Sequence, residues 1–230
     1  MRLKADLHIH STVSDGRASP YEIVYTAIDK GLNIISVTDH NSFRGSVIAR
    51  RIASNIDDAP VVLVGNEIRT QYGDILVYCL EEPDLPYTLP ELIDRAHEEN
   101  CLVVPAHPFD LLRLGIGDVI YEYSGWDAVE VWNASATHGA NKKAMKAAKI
   151  LGLPGLANSD AHIPEYIGVA YTVIEADKPD PEDILEAIRK GKVHPHPGYP
   201  PFKYIVKKFM WSIRRICTSK TRLKNQLNRE

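Results

Sequence analysis

Long apolar runs are missing from these 230 residues; none approaches the ~20 needed to cross a bilayer, so no segment reads as a transmembrane helix. Cysteine is scarce. Cys79, Cys101 and Cys217 are scattered, odd in number and form no CxxC pair, so neither a disulfide framework nor a zinc knuckle is expected. The opening Met-Arg-Leu-Lys-Ala-Asp carries no apolar signal segment, and a cytoplasmic location is the expectation. Glycine-rich phosphate loops, internal repeats and low-complexity stretches are also lacking. There is no basic excess: a net charge of -3 argues against general nucleic-acid binding, and no stable duplex binding is expected.

What is present is ordinary in composition. Apolar residues make up 44% and charged residues 25%, and the length suits one large α/β domain. The charge is unevenly spread: from Lys203 onward nine residues are Lys or Arg and only Glu230 is acidic. The body before it is correspondingly acidic, as suits a protein that gathers cations.

The most informative stretch is the first. In Asp6-Leu-His-Ile-His10, Leu7 and Ile9 alternate with His8 and His10, which is the period of a strand. Both imidazoles therefore project from one face, which is half a metal site. Ser19-Pro20 then opens a helix that ends at Gly31, and Ile34–Thr38 reads as a buried strand delivering Asp39-His40. A helix over 46–55 and a strand at Val61–Val64 deliver Gly65-Asn-Glu67. Further strands are expected at 74–80, 101–105, 128–131, 154–157 and 168–174, with helices at 89–99, 141–151 and 181–190. Alternating strands and helices argue a parallel sheet with helical crossovers.

His8/His10, His40, Glu67, His107 and Asp160/His162 all fall at or just past the carboxyl ends of expected strands. In a parallel barrel those ends share one mouth, where active sites sit. Imidazoles with carboxylates suit zinc, manganese or iron rather than calcium or magnesium. The set exceeds the need of one tetrahedral ion, and a carboxylate such as Glu67 or Asp160 can bridge two. Asp15, in the loop after the histidine strand, is a further candidate; taken alone, Ser14-Asp15-Gly16 reads as a turn.

Asp-Leu-His8-Ile-His10-Ser-Thr, Val-Thr-Asp39-His40, Gly65-Asn-Glu67, Ala106-His107-Pro108 and Ser159-Asp160-Ala-His162 together resemble the PHP (polymerase and histidinol phosphatase) superfamily. The resemblance spans roughly Lys4 to Lys192, with the motifs in the family's order. It implies an α/β fold, a distorted (β/α)7 TIM-like barrel over 1–198, with 199–230 left as a basic amphipathic helix and tail. It also implies a short stand-alone phosphoesterase with two or three Mn, Zn or Fe ions, hydrolysing a phosphate ester by a metal-bridging hydroxide.

On this resemblance His8, His10, Glu67 and Asp160 hold the first ion, Glu67 and His107 the second, and Asp15, His40 and His162 a third. Glu67, Asp160 and His162 carry the catalytic roles. Some similar members act on nucleotides or short RNA, so a nucleotide, nucleoside bisphosphate or short oligonucleotide is the expected substrate. Members with three filled sites often carry a histidine after the strand that here reads Glu130-Val-Trp132-Asn133; this chain has Asn133, and its nearest histidine is His138. That leaves the ion count at two or three. Amide or cyclic-ester hydrolysis on the same centre is the alternative enzyme reading, and a non-catalytic PHP scaffold is the other.

Substrate contacts are expected from Arg17, Arg44 and Arg113, each in a loop after a ligand-bearing strand and suited to clamping phosphate, and from Asn133 and His138. Trp132 or Tyr166 is placed to stack on a base. His97 reads as solvated, and His194-Pro-His196-Pro as an extended loop. In the tail, Phe202, Ile205, Val206, Phe209, Met210, Ile213 and Ile216 share one helical face. The favoured reading is a helix docked on the barrel or on a partner subunit, making a homo-oligomer one outcome. An anionic membrane surface or RNA backbone is less favoured. The last dozen residues are expected to fray.

Overall fold

The computed structural model describes residues 1–227, with side chains described through Arg215. Seven strands hydrogen-bond in the order β5-β4-β3-β2-β1-β8-β9: β1 Arg2–Ile9, β2 Ile34–Val37, β3 Val61–Arg69, β4 Asp74–Cys79, β5 Leu102–Pro105, β8 Tyr171–Glu175 and β9 Val193–His196. The remaining two, β6 Val129–Asn133 and β7 Gly155–Asn158, pair in parallel with each other. The two sheets meet where His10 N donates to Ala161 O at 2.9 Å and Ala161 N to His8 O at 3.2 Å, just past β7. The curled sheet and this pair make a distorted barrel, the α/β architecture expected from the strand–helix rhythm.

The sheet is not wholly parallel. β1, β2 and β3 run together, but β4 is antiparallel to β3 and β5, and β8 is antiparallel to β1 and β9. For β4 the cause is local. Thr70 Oγ1 donates to Gly73 O at 2.7 Å, closing a hairpin too short for a crossover helix. Gly73 has φ 153°, and a Cβ there would lie 2.5 Å from Leu114 O.

Five helices cover the barrel: α1 Pro20–Asp29, α2 Arg44–Ala53, α3 Leu89–Glu98, α4 His138–Leu151 and α5 Pro181–Arg189. α1 starts with a reciprocal capping box between Ser19 and Glu22. α4 begins at His138 rather than at residue 141 because Thr137 caps the Ala140 N–H. β4 shows how the core divides. Ile75, Val77 and Cys79 pack toward α3 and α4 residues such as Leu92 and Ala147, whereas Leu76 and Tyr78 join Leu7, Leu63 and Val104.

Two expectations are corrected. Cys79 and Cys101 form a disulfide, Cα–Cα 4.3 Å, because α3 leaves from the end of β4 and returns beside it. His194-Pro-His196 is not a loop but part of β9 on the sheet edge, where proline's missing N–H is tolerated; His194 meets Glu175 at 3.1 Å and His196 stacks on Tyr171. His97 is exposed, as expected, and its Nε2 lies 3.1 Å from Asp127 Oδ2.

The chain divides into two compact units, Met1–Tyr199 and Pro200–Glu230. The second contains α6, Phe202–Leu227, which continues through positions expected to fray. The Ile216 side chain lies outside the described residues. Phe202, Ile205, Val206, Phe209, Met210 and Ile213 of α6 are exposed, while Tyr204 and Trp211 are partly buried. Among the described residues no helix is long and apolar enough to cross a membrane.

The disulfide spans 22 residues, for which loop-closure entropy gives about 3 kcal/mol of stabilisation. The Cys79→Ala/Cys101→Ala variant is expected to lose about that much, read as a lower urea midpoint. A midpoint unchanged by either the double variant or a reductant would show that the bond contributes nothing.

Candidate metal centre

Period-two alternation along β1 turns His8 and His10 to one side, and both are fully buried with their Nε2 atoms 3.1 Å apart. Glu67, near the end of β3, sits among four imidazoles. Its Oε1 lies 3.0 Å from His107 Nε2 and 3.4 Å from His8 Nε2, and its Oε2 lies 2.9 Å from His40 Nδ1 and 3.3 Å from His10 Nε2. Asp160, just after β7, places Oδ1 3.5 Å from His10 Nε2, 3.7 Å from His8 Nε2 and 3.2 Å from His162 Nδ1. Asp15 completes the rim, with Oδ1 3.3 Å from His162 Nε2 and 3.7 Å from both His10 Nδ1 and His40 Nε2.

The loop that presents Asp15 is shaped by Asp39. That buried carboxylate accepts from the backbone and hydroxyl of both Ser11 and Ser14, at 2.5–3.2 Å. Two residues of the cluster sit in left-handed backbone, His107 at φ 31° and Asp160 at φ 48°.

Charge in this volume is held by mutual pairing. Burial opposes a proton on His8, but Glu130, Glu67 and Asp160 outweigh it and raise its pKa well above the ordinary value. Burial pushes Glu67 up, and His8, His107 and His40 more than reverse it, holding the carboxyl well below its usual range. Burial and then the neighbouring His162 lower His10 to about 4. For Asp15 the effect of burial is overcome by His162, which lowers its pKa.

The donor chemistry fits cations. His8 Nδ1 is 2.9 Å from Glu130 Oε1, so in the neutral ring it is Nε2 that turns a lone pair toward Glu67 and Asp160. Lone pairs facing carboxylate oxygens need a positive species between them. His107 Nδ1 and His10 Nδ1 are buried without a hydrogen-bond partner among the described residues. Four groups could hold an ion, with ligand atoms within 4.8 Å of one another: His10/Asp15/His40/His162, His8/Glu67/His107, His8/His10/Asp160 and His40/Glu67/Asp74.

All eight residues expected as ligands thus lie in one cluster. Arg113 is beside it, with Nη1 3.2 Å from Asp160 Oδ2. The other expected substrate contacts are placed differently. Arg17 grips Glu165 with both contacts at 2.8–3.0 Å, and Arg44 is exposed at the start of α2. Asn133 is fully buried and donates to Glu130 Oε2 at 3.0 Å, so it braces a carboxylate instead of facing substrate. His138 is exposed, edge-on to Trp132. Trp132 and Tyr166 are themselves buried, and Trp132 Nε1 donates to Gly198 O at 2.9 Å, so neither offers a free stacking face.

The residue missed by sequence reasoning is Glu130. It is fully buried on β6, and its oxygens take His8 Nδ1 (2.9 Å), Asn158 Nδ2 (2.9 Å), His107 N (2.7 Å) and Asn133 Nδ2 (3.0 Å). It fixes the ring of one candidate ligand and the backbone of another. A signal was available: a carboxylate inside the apolar run Ala128-Val-Glu-Val131 has to be paired when buried. Asp74 was also missed; Arg69 holds it in a fork at 2.9 and 3.0 Å.

The PHP domain family model matches residues 6–114 and the PHP-associated model residues 138–193. An uncharacterised protein of Methanocaldococcus jannaschii, MJ1587, is 33% identical over 145 residues, 57% of this chain and 82% of that protein. A 5'-3' exoribonuclease of Haemophilus influenzae is 38% identical over 72 residues, 31% of this chain and 26% of that protein. Among solved structures, a two-domain protein of Bacteroides vulgatus, described as containing a predicted PHP-like metal-dependent phosphoesterase, superposes with TM-score 0.71 at 19% identity. The match covers 86% of this chain and 65% of that one, and at that identity it speaks for the fold. With the domain model laid over β1 to the His107 loop and the associated model over α4 to β9, this chain belongs to the PHP domain family.

Proposed function

We propose that the chain is a divalent-metal-dependent phosphoesterase acting on a nucleotide or the end of a short oligonucleotide. The observation that carries this reading is the convergence of Glu67 with four imidazoles beside Asp160 and Asp15. His8, His10, Glu67 and Asp160 would hold one cation, Glu67 and His107 a second, and Asp15, His40 and His162 a third. Such ions, when bound, supply Lewis acidity at phosphate oxygens and make water a nucleophile near neutral pH.

The chain's own groups do the rest. Glu130 keeps the His8 ring turned so that Nε2 faces the site. Arg113 steadies Asp160 through one nitrogen and, being partly exposed, has donors left for a phosphate oxygen. Asp160 in turn lies 3.2 Å from His162 Nδ1, and His162, partly open at the rim, is suited to pass a proton to the leaving oxygen. The nucleotide assignment is supported by the relative named as an exoribonuclease and by the guanidinium beside the cluster.

Purified protein should hydrolyse a generic aryl phosphate with added manganese and stop when a chelator strips the ions. Glu67→Ala is expected to lose both bound metal by elemental analysis and turnover; normal metal content with full turnover would show the centre to be misassigned. Glu130→Gln should weaken metal binding by about 10–100-fold in a chelator competition titration without a comparable loss of thermal stability. Arg113→Ala should raise KM for a nucleoside bisphosphate far more than for an aryl monophosphate. Equal losses on both would place Arg113 in transition-state stabilisation or in the fold.

A further inference from the structure

The β3–β4 hairpin carries an ion pair that its turn does not need. Arg69 and Asp74 face each other across it, and Arg69 Nε and Nη2 grip the two Asp74 oxygens at 2.9 and 3.0 Å. Such a pair would ordinarily close the turn. Here Thr70 already does so, its N and Oγ1 donating to Gly73 O at 3.0 and 2.7 Å. The partners also differ in exposure: the Asp74 side chain is 2% exposed and that of Arg69 48%. An arginine so open to water adds little to stability through its ion pair.

What the pair does have is position. Glu67 and Arg69 lie two residues apart on β3 and so share one face of the strand. An Asp74 oxygen lies within 4.8 Å of ligand atoms of both His40 and Glu67. The Asp74 backbone is fixed as well: its N donates to Leu114 O at 2.9 Å, and its O accepts from Ala106 N at 3.1 Å. Those bonds stitch it to the residue after Arg113 and to the residue before His107. Both Asp74 oxygens face the guanidinium, so the positive charge that meets this carboxylate belongs to the protein. Arg69 Nη1 makes no hydrogen bond among the described residues.

We propose that Arg69, held in place by Asp74, is a second anion contact of the site, taking a phosphate group of the substrate other than the one that reacts. This rests on the phosphoesterase reading above. A guanidinium already forked on a carboxylate loses little further freedom on binding, and its remaining edge offers N–H donors to phosphate oxygens. Arg113 has a similar construction, with Nη1 3.2 Å from Asp160 Oδ2 and side-chain exposures of 32% and 2%. Two guanidiniums, each beside a buried carboxylate and partly open to water, thus come from segments joined by the Asp74–Leu114 bond. A substrate with one phosphate leaves Arg69 idle. A second phosphate, whether a terminal monoester or an internal diester, would employ it, and without Arg69 that group would meet the Asp74 carboxylate unscreened.

The test is calorimetric binding to the manganese-loaded protein of three ligands that resist hydrolysis. They are a nucleoside with one phosphonate, a nucleoside with two, and a dinucleotide with one terminal phosphonate and an internal phosphorothioate. The wild-type chain is expected to prefer one of the last two over the first. Arg69→Gln should cut that preference by about 10–100-fold, as expected for a charge-assisted hydrogen bond to phosphate. Arg69→Lys should restore only part of it, because lysine carries the charge without the fork. The ligand whose preference collapses identifies the second phosphate as terminal or internal. No preference in the wild-type chain overturns the proposal, as does a preference that survives Arg69→Gln. Equal loss on all three ligands would make the Arg69–Asp74 pair a support of the fold and overturn it too. Selective binding lost in Arg69→Gln, without any hydrolysis of aryl phosphate, would leave the anion contact standing and refute the phosphoesterase reading. Hydrolysis without a preference would do the reverse.

Discussion

A carboxylate surrounded by four imidazoles, out of contact with water, is the constraint around which this barrel is built. Glu67 is 1% exposed, and His8, His10 and His107 beside it are scarcely more. An isolated charge at that depth would be prohibitive, so each member is tolerable only because the others are present. The chain meets this condition with four different strand ends and, behind them, a second row of groups. Glu130 holds His8 and the His107 backbone, Asp39 holds the Asp15 loop, and Arg113 holds Asp160. Removing Glu67 would leave four buried or half-buried imidazoles without the carboxylate they face. The site and the stability of the barrel's mouth are therefore the same interaction seen from two sides.

Much of this was legible in the sequence because two signals are short-range. Alternation at Leu7-His8-Ile9-His10 exposes a strand face directly, and polar ligands placed just after apolar runs mark strand ends. Capping pairs such as Ser19/Glu22 locate helix starts. What was hidden depends on partners far along the chain. The direction of β4 and β8 is not written in hydrophobic spacing, and neither is the adjacency of Cys79 and Cys101, which only α3 creates. Asn133 and Trp132 were read as facing the mouth because they follow a strand; their hydrogen bonds to Glu130 and Gly198 hold them in the wall instead.

Helical periodicity has the same limit. It identifies α5 and α6 equally well, yet Ile184, Leu185 and Ile188 are buried while Phe202, Phe209 and Met210 are not. The pattern tells that a face exists, and the surroundings decide what it meets. For α5 the sheet supplies the cover, since Ile184 and Ile188 join Leu3, Ile174 and Val193 in one cluster.

His107 and Asp160 stand in backbone that L-residues with a Cβ ordinarily avoid. Glycine, which has no Cβ, would sit there with less strain, by about 1–2 kcal/mol for the conformation alone. Relaxing either bend would also take away the side chain that meets Glu67 or Arg113, so the backbone cost and the cluster cannot be separated.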